Sequence, residues 1–320
     1  MKNKAFLFSL LLLCLSVQSN SLSLDYYKHT CPEAENIVKF AIARALEDYP
    51  GIGAGIIRLL FHDCFVRGCD GSVLLDPSPK NPKPERSAPT NIGLRGFEII
   101  DEAKRLVEVF CPGVVSCADI LAYSARDAAE ILNGIRYNVS GGRLDGKVSS
   151  ASEAEKNLPP HTFNLKQLKH LFVKKKNMTT EDLVVLSGAH TLGRTHCSSI
   201  TSRLYPSIDP TLDATFAKDA LSPKCPPYAK TDGVVHLDHL SPDTLDSDYY
   251  KNVLDRTVVF FSDWSLLTSN ETKKLVVEYA TTPGDWEKDF AESMAKLSEL
   301  DVITDPTEGE IRKNCRAVNY

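Results

Sequence analysis

The 320-residue chain lacks the features that mark several common classes of protein. After residue 21 it has no long apolar run, which excludes a membrane-spanning segment in that part of the chain. Its longest basic run, three lysines at residues 174–176, is typical of a solvated helix end and does not predict nucleic-acid binding. It has no C-x-x-C pair and no internal repeat. The chain is long enough for one large globular domain or two modest ones.

Residues 1–23 are typical of a secretory signal peptide. Lys2 and Lys4 precede an apolar run, and the small polar residues near Ser21 and Ser23 suit cleavage. The apolar run is short for a membrane span, so a membrane anchor is the less favoured alternative. Loss of this segment changes the formal net charge from −5 to −7. We predict an exported chain in which residues 24–320 form one catalytic unit.

Cysteine usage also indicates export. Nine cysteines become eight when Cys14 leaves with the signal peptide, and an even number in an exported chain suggests four disulfides whose pairing the spacing leaves open. Zinc ligation is the alternative, but the step from Cys64 to Cys69 is not a zinc spacing. Three N-glycosylation sequons agree with a secretory route and begin at Asn138, Asn177 and Asn270.

Apolar periodicity predicts a mainly α protein with little β structure. Steps of three and four residues predict helices at about 33–47, 52–65, 96–109, 116–133, 165–175, 180–190, 196–204, 213–221, 247–254, 271–280 and 285–299. The long connections at residues 76–92 and 222–246 are typical of functional loops.

Two segments carry residues suited to chemistry. On a helix, Arg58 and His62 share one face, whereas Asp63 points about a quarter-turn away, so one segment serves two sites. In the second segment, an apolar helix leads to Gly188, Ala189 and His190. The small residues leave room for a flat, bulky group against the imidazole and suggest a cofactor. Taken alone, however, a histidine in this position is more often a core residue with satisfied hydrogen bonds than a ligand.

These residues resemble the class III secretory plant peroxidases, which are haem enzymes. The resemblance runs from about Tyr26 to Asn319 and rests on the eight cysteines and on three motifs: Arg58-Leu-Leu-Phe-His62-Asp-Cys64, Val115-Ser-Cys117-Ala-Asp119-Ile-Leu and Leu186-Ser-Gly-Ala-His190-Thr191. It implies two helical halves that sandwich a haem b. The distal half would be about 24–160 plus the C-terminal segment, and the proximal half about 161–280.

The resemblance also implies roles around the haem. His190 would be the axial iron ligand, and Asp263 would accept its N–H, although an isolated turn carboxylate is the alternative reading of Asp263. His62 would act as base and then acid towards peroxide, and Arg58 would stabilise the developing negative charge. Phe61 would shield the iron. Three further residues support this site: Asn91 holds His62, Glu85 supports Asn91, and Pro159 lines the donor channel.

Two calcium sites follow from the same resemblance, because each region is rich in the oxygen ligands that calcium prefers. Taken alone, these Asp-rich loops are more typical of solvated turns than of calcium sites. The distal ligands would be Asp63, Val66, Gly68, Asp70 and Ser72, and the proximal ligands Thr191, Asp238, Ser241, Thr244 and Asp246.

The implied disulfides are Cys31–Cys111, Cys64–Cys69, Cys117–Cys315 and Cys197–Cys225, and Asp119 and Arg143 would form a buried ion pair. Near that pair, Ser140 and Leu144 stand where the family usually has Pro and a basic residue.

The resulting hypothesis is a monomeric, secreted haem peroxidase of the apoplast or cell wall. It would reduce hydrogen peroxide and oxidise phenolic donors, in lignin- or suberin-type metabolism and the response to oxidative stress. It would bind neither nucleic acid nor, once the signal peptide is cleaved, a membrane. A secreted, disulfide-bonded calcium scaffold with a binding role is the alternative. A serine hydrolase that uses Ser187 is a third possibility, but the chain lacks a nucleophile elbow around it.

Overall fold

The computed structural model describes residues 21–319, so the predicted signal peptide lies outside the described residues except for its last three. The described part contains two short strands, β1 Arg194–His196 and β2 Val234–His236, which pair antiparallel. Its α-helices are α1 Ala34–Asp48, α2 Ile52–Val66, α3 Phe97–Phe110, α4 Cys117–Asn133, α5 Ala151–Asn157, α6 Leu165–Lys169, α7 Thr180–Ser187, α8 Thr201–Leu204, α9 Ala214–Phe216, α10 Asp248–Asp255, α11 Phe261–Ser265, α12 Asn270–Thr281 and α13 Asp285–Leu297.

The prediction of a mainly α protein is confirmed, and the helix pattern matches a haem-peroxidase fold. The short helices α5 and α11 were not predicted, because one or two turns carry too little periodicity. Helix α7 ends at Ser187, and His190 lies in the 3₁₀ turn Gly188–Thr191 that follows. None of the helices in residues 21–319 is long and apolar enough to cross a membrane.

Helices α1 to α4 form the first packing group, with α4 at its centre. Helix α4 begins at Cys117 because the Ser116 side chain accepts the Asp119 backbone N–H, and it ends at Gly134, whose φ is +71°. Most of its side chains are small or apolar and buried, and it packs against α1, α2 and α3. This packing gives α2, which carries Arg58 and His62, a rigid support.

Helix α7 is the centre of the second group, with α12 and α13 packed around it and α10 against α12. It begins with a capping box in which Thr179 and Asp182 satisfy each other's backbone N–H groups. From α13, the Trp286 indole donates to the Val185 carbonyl at 3.0 Å and the Ser293 hydroxyl donates to Asp182 at 3.0 Å. The main hydrophobic core is continuous through both groups.

The C-terminal segment returns to the first group. The Arg312 guanidinium is fully buried and donates to the carbonyls of Asp70 and Gly71 at 3.1 and 2.7 Å. Asp145 and Glu310 form an isolated β-bridge. The described residues contain the four disulfides that the resemblance implied: Cys31–Cys111, Cys64–Cys69, Cys117–Cys315 and Cys197–Cys225.

Candidate active site

His62 lies on α2 with both ring nitrogens in defined surroundings. Its Nδ1 is 2.6 Å from Oδ1 of Asn91, and the Asn91 amide donates to the Glu85 backbone carbonyl at 2.8 Å. The second bond fixes the amide orientation, so Oδ1 must accept and the imidazole proton must sit on Nδ1. Nε2 of His62 therefore keeps a lone pair, as a general base requires. Glu85 supports Asn91 through its backbone, while its carboxylate accepts from the Ser72 hydroxyl at 2.8 Å.

Arg58 lies one turn before His62, on the same helix face as the spacing predicted. Its Nε donates to Nε2 of His62 at 3.1 Å, and Nη2 donates to the Thr90 carbonyl at 3.3 Å. Burial of His62, and secondly the Arg58 charge, lower the pKa of the imidazole to about 3, although Asn91 partly opposes this shift. His62 is therefore neutral at physiological pH, with a cation hydrogen-bonded to its unprotonated Nε2.

Phe61 is fixed beside this pair by an aromatic cluster. Its ring centroid lies 4.2 Å from that of Phe65 and 6.1 Å from that of Phe172, and Phe65 and Phe172 are 4.7 Å apart. Sequence reasoning did not identify Phe172, which lies in a π-helical turn after α6.

His190 has a different environment. Its Nδ1 donates to Oδ1 of Asp263 at 2.9 Å, which leaves Nε2 to bind a metal. The Tyr249 hydroxyl donates to the same Asp263 oxygen at 2.9 Å. Burial, and secondly Asp263, raise the pKa of Tyr249 well above its usual value, so it stays protonated. Sequence reasoning missed Tyr249, and no local pattern around it indicates this contact.

Gly188, one of the small residues beside His190, is packed against aromatic side chains of the core. A Cβ at Gly188 would lie 2.5 Å from Nε1 of Trp286 and 2.7 Å from the Tyr250 hydroxyl. The glycine is therefore required by core packing. Ala189, the other small residue, is also packed against the core.

Contacts between distant segments bring the two histidine regions together. The Tyr49 hydroxyl, just after α1, accepts hydrogen bonds from Arg95 at 3.0 Å and from Arg194 at 2.7 Å. A Cβ at Gly193 would lie 3.5 Å from Cβ of Ala54, so the chain after His190 approaches the start of α2.

Pro159 lies in a loop that reaches the His190 region. Two residues later, the His161 ring centroid is 5.3 Å from that of Phe260, which is 5.4 Å from that of His190. The His161 carbonyl also accepts the Ser262 backbone N–H at 3.0 Å.

The expected distal calcium ligands are buried in the last turn of α2 and in the segment that follows it. Asp63 and Asp70 are 0% and 2% exposed, and Gly68 has a φ of +103°, with no space for a Cβ against the Asp301 carbonyl. Burial, and secondly Asp70, raise the pKa of Asp63 well above its usual value. Nearby, Oε2 of Glu85 is buried without a hydrogen-bond partner in residues 21–319.

The expected proximal ligands also meet at one point. The Thr191 hydroxyl lies 3.2 Å from Oδ2 of Asp238, 3.0 Å from Oδ1 of Asp246 and 3.4 Å from the Thr244 carbonyl, and Ser241 donates to Asp246 at 3.0 Å. Within residues 21–319 no three His, Cys, Asp or Glu side chains form a metal-binding group. Each cluster instead combines two aspartates with hydroxyl and carbonyl oxygens, a set that suits calcium rather than zinc.

Comparison with known proteins gives the family. The Peroxidase family profile matches residues 38–282. The chain is 51% identical to "Peroxidase 2" of Zea mays over 100% of this chain and 97% of that protein. It is 45% identical to "Peroxidase 5" of Vitis vinifera (97% and 95%) and 42% identical to "Peroxidase 64" of Arabidopsis thaliana (98% and 99%). The chain belongs to the class III plant peroxidases.

This peroxidase is therefore an oxidoreductase that uses hydrogen peroxide, and its family implies a haem. Its residues fit that group: Nε2 of His190 is the ring nitrogen not taken by Asp263, and the Arg58 and His62 pair suits a polar peroxide.

Proposed function

We propose that this peroxidase is exported, that residues 24–320 act as one monomeric catalytic unit, and that it oxidises phenolic donors in cell-wall metabolism of the lignin or suberin type. The observation that carries the proposed chemistry is the chain from Arg58 through His62 to Asn91, which leaves one neutral basic nitrogen beside a guanidinium. Four disulfides in the described residues support passage through the secretory pathway.

His62 would perform the proton transfers. A haem b held by Nε2 of His190 would supply the redox-active iron on which peroxide is cleaved. Nε2 of His62 accepts a proton from hydrogen peroxide and later returns it to the departing oxygen, so that water leaves. The Arg58 guanidinium stabilises the negative charge that develops on that oxygen. Asn91 keeps the His62 proton on Nδ1 and thereby keeps Nε2 available.

Asp263 would control the other face. By accepting the Nδ1 proton of His190, it orients the ring and raises the basicity of Nε2. Phe61, held by Phe65 and Phe172, would keep bulky donors from the peroxide side. Pro159 would line the donor channel. The half-buried His161 lies two residues further along the chain and gives this surface a side chain particular to this protein.

The test of this function is the visible spectrum of the purified mature protein during one catalytic cycle. We expect a haem Soret band that shifts with one equivalent of hydrogen peroxide and returns when guaiacol is added. Protein from extracellular medium should begin near Ser21 or Ser23, and glycans would be sought at Asn138, Asn177 and Asn270, which are exposed. A colourless protein that stays inert after haem reconstitution would contradict the proposal and leave a calcium scaffold.

We further propose that each oxygen cluster binds one calcium ion. In the proximal cluster, Asp238 and Asp246 both contact the Thr191 hydroxyl, and neither has a Lys or Arg ion-pair partner in residues 21–319. Thr191 follows His190, and Asp63 follows His62, so each ion would stabilise the segment that carries a histidine.

Chelation should therefore loosen both histidine segments. We expect about two calcium ions per chain in the purified protein, and exhaustive chelation should lower the melting temperature, alter the Soret band and reduce activity, all restored by calcium. Asp238→Asn should lose one ion, whereas Asp243→Asn, an exposed aspartate of the same loop, should lose none. Unchanged spectrum, activity and melting temperature after chelation would eliminate the calcium sites.

A further inference from the structure

Asp263 receives two hydrogen bonds on one oxygen. Nδ1 of His190 and the hydroxyl of Tyr249 each lie 2.9 Å from Oδ1. Asp263 is 3% exposed and Tyr249 is 1% exposed, so water does not screen the hydrogen bond between these two residues. The rings of His190 and Tyr249 meet edge to face, with centroids 6.3 Å apart. Both donors therefore compete for the same buried negative charge.

We propose that Tyr249 is a positioning residue that limits how strongly Asp263 polarises His190, and thereby sets the electron-donating power of the iron ligand. This inference rests on the proposed haem function. A hydrogen bond to a charged group contributes more than one between neutral groups, and low dielectric strengthens it. The hydrogen bond from Tyr249 offsets part of the negative charge on Asp263. The hydrogen bond from the imidazole N–H to Asp263 is therefore weaker than it would be without Tyr249.

The expected direction follows from the ligand chemistry. Without the Tyr249 hydroxyl, Asp263 pulls the Nδ1 proton of His190 more strongly, and the ring gains imidazolate character. A more basic axial ligand stabilises ferric over ferrous iron. Tyr249→Phe should therefore strengthen the bond between iron and His190 and lower the reduction potential.

Tyr250 provides a matched control in the next position. It is also fully buried and its ring lies 5.0 Å from that of Tyr249, but its hydroxyl donates to the Val184 carbonyl at 2.9 Å rather than to Asp263. Tyr250→Phe removes the same atom from the same helix. It therefore reports the effect of a lost buried hydroxyl on packing alone.

The experiment uses the haem-loaded protein and does not depend on turnover. Tyr249→Phe should raise the iron–histidine stretching frequency in the resonance Raman spectrum of the ferrous form. At a fixed potential it should shift the ferric-to-ferrous ratio about tenfold towards ferric, a change of about 59 mV for one electron. Tyr250→Phe should leave the frequency unchanged and the ratio within about twofold of the wild type.

A fluorotyrosine at position 249 extends the test without changing the shape of the core. Its hydroxyl is a stronger donor, so the frequency and the ratio should move in the opposite direction from Tyr249→Phe. In an Asp263→Asn background, Tyr249→Phe should have no further effect on either readout.

Two results would overturn the proposal while leaving the enzyme's function intact. The first is equal shifts in the Tyr249 and Tyr250 variants, and the second is a lowered melting temperature for Tyr249→Phe with neither shift, which would make Tyr249 structural only. A wild-type protein with no haem Soret band after reconstitution would overturn both this inference and the proposed function.

Discussion

Replacement of His62 by leucine should lower kcat/KM for hydrogen peroxide by about 10³-fold, within the range for loss of a general acid and base. Leucine fills a similar volume but offers no lone pair towards Arg58. The nitrogen that is lost is the one that Asn91 keeps unprotonated in the wild type. Steady-state kinetics with varied peroxide at saturating guaiacol would measure the effect.

The same kinetics separate this role from general damage. Because the proposed cycle separates peroxide reduction from donor oxidation, kcat/KM for guaiacol should change far less than kcat/KM for peroxide. His29→Leu removes an exposed histidine and should leave both constants near their wild-type values. A loss of less than about tenfold for His62→Leu, with the Soret band intact, would exclude His62 as the main proton acceptor.

Arg143→Met should destabilise the protein by about 3–5 kcal/mol, because it leaves a buried charge without its partner. Both side chains of the Arg143–Asp119 pair are fully buried, with Nη1 to Oδ1 at 2.8 Å. The same guanidinium donates to the Ser298 carbonyl, and thereby connects α4 with the end of α13. Denaturant unfolding with the disulfides intact would measure the change.

Two variants test this explanation. Arg105→Met breaks an exposed ion pair with Glu102 and should leave the free energy of unfolding nearly unchanged, because water and salt screen that pair. The double variant Asp119→Asn, Arg143→Met removes both charges and should recover part of the loss, because no unpaired carboxylate remains. If the single variant Arg143→Met does not fold, the double variant still allows the stability to be measured. Equal destabilisation by Arg143→Met and Arg105→Met would show that burial of the Arg143–Asp119 pair has no effect on the free energy of unfolding.

Local sequence patterns predicted the elements well where the signal is itself local. The shared face of Arg58 and His62 follows from the helix repeat, and their 3.1 Å contact agrees with it. The periodicity of α1, α3 and α13 marks an apolar stripe that each buries. The same method did not find α5 and α11, where too few residues are available to show a period.

The sequence by itself determined the family, the mainly α architecture and most of the candidate site, because motifs and helix periodicity are written in neighbouring residues. Only the tertiary structure decided that Tyr249 and His190 share one Asp263 oxygen, and that Glu85 orients Asn91 through its backbone carbonyl. It also decided that Gly188 makes room for Trp286. The physical reason is that each of these contacts depends on how separate segments pack against one another, which no spacing along the chain encodes.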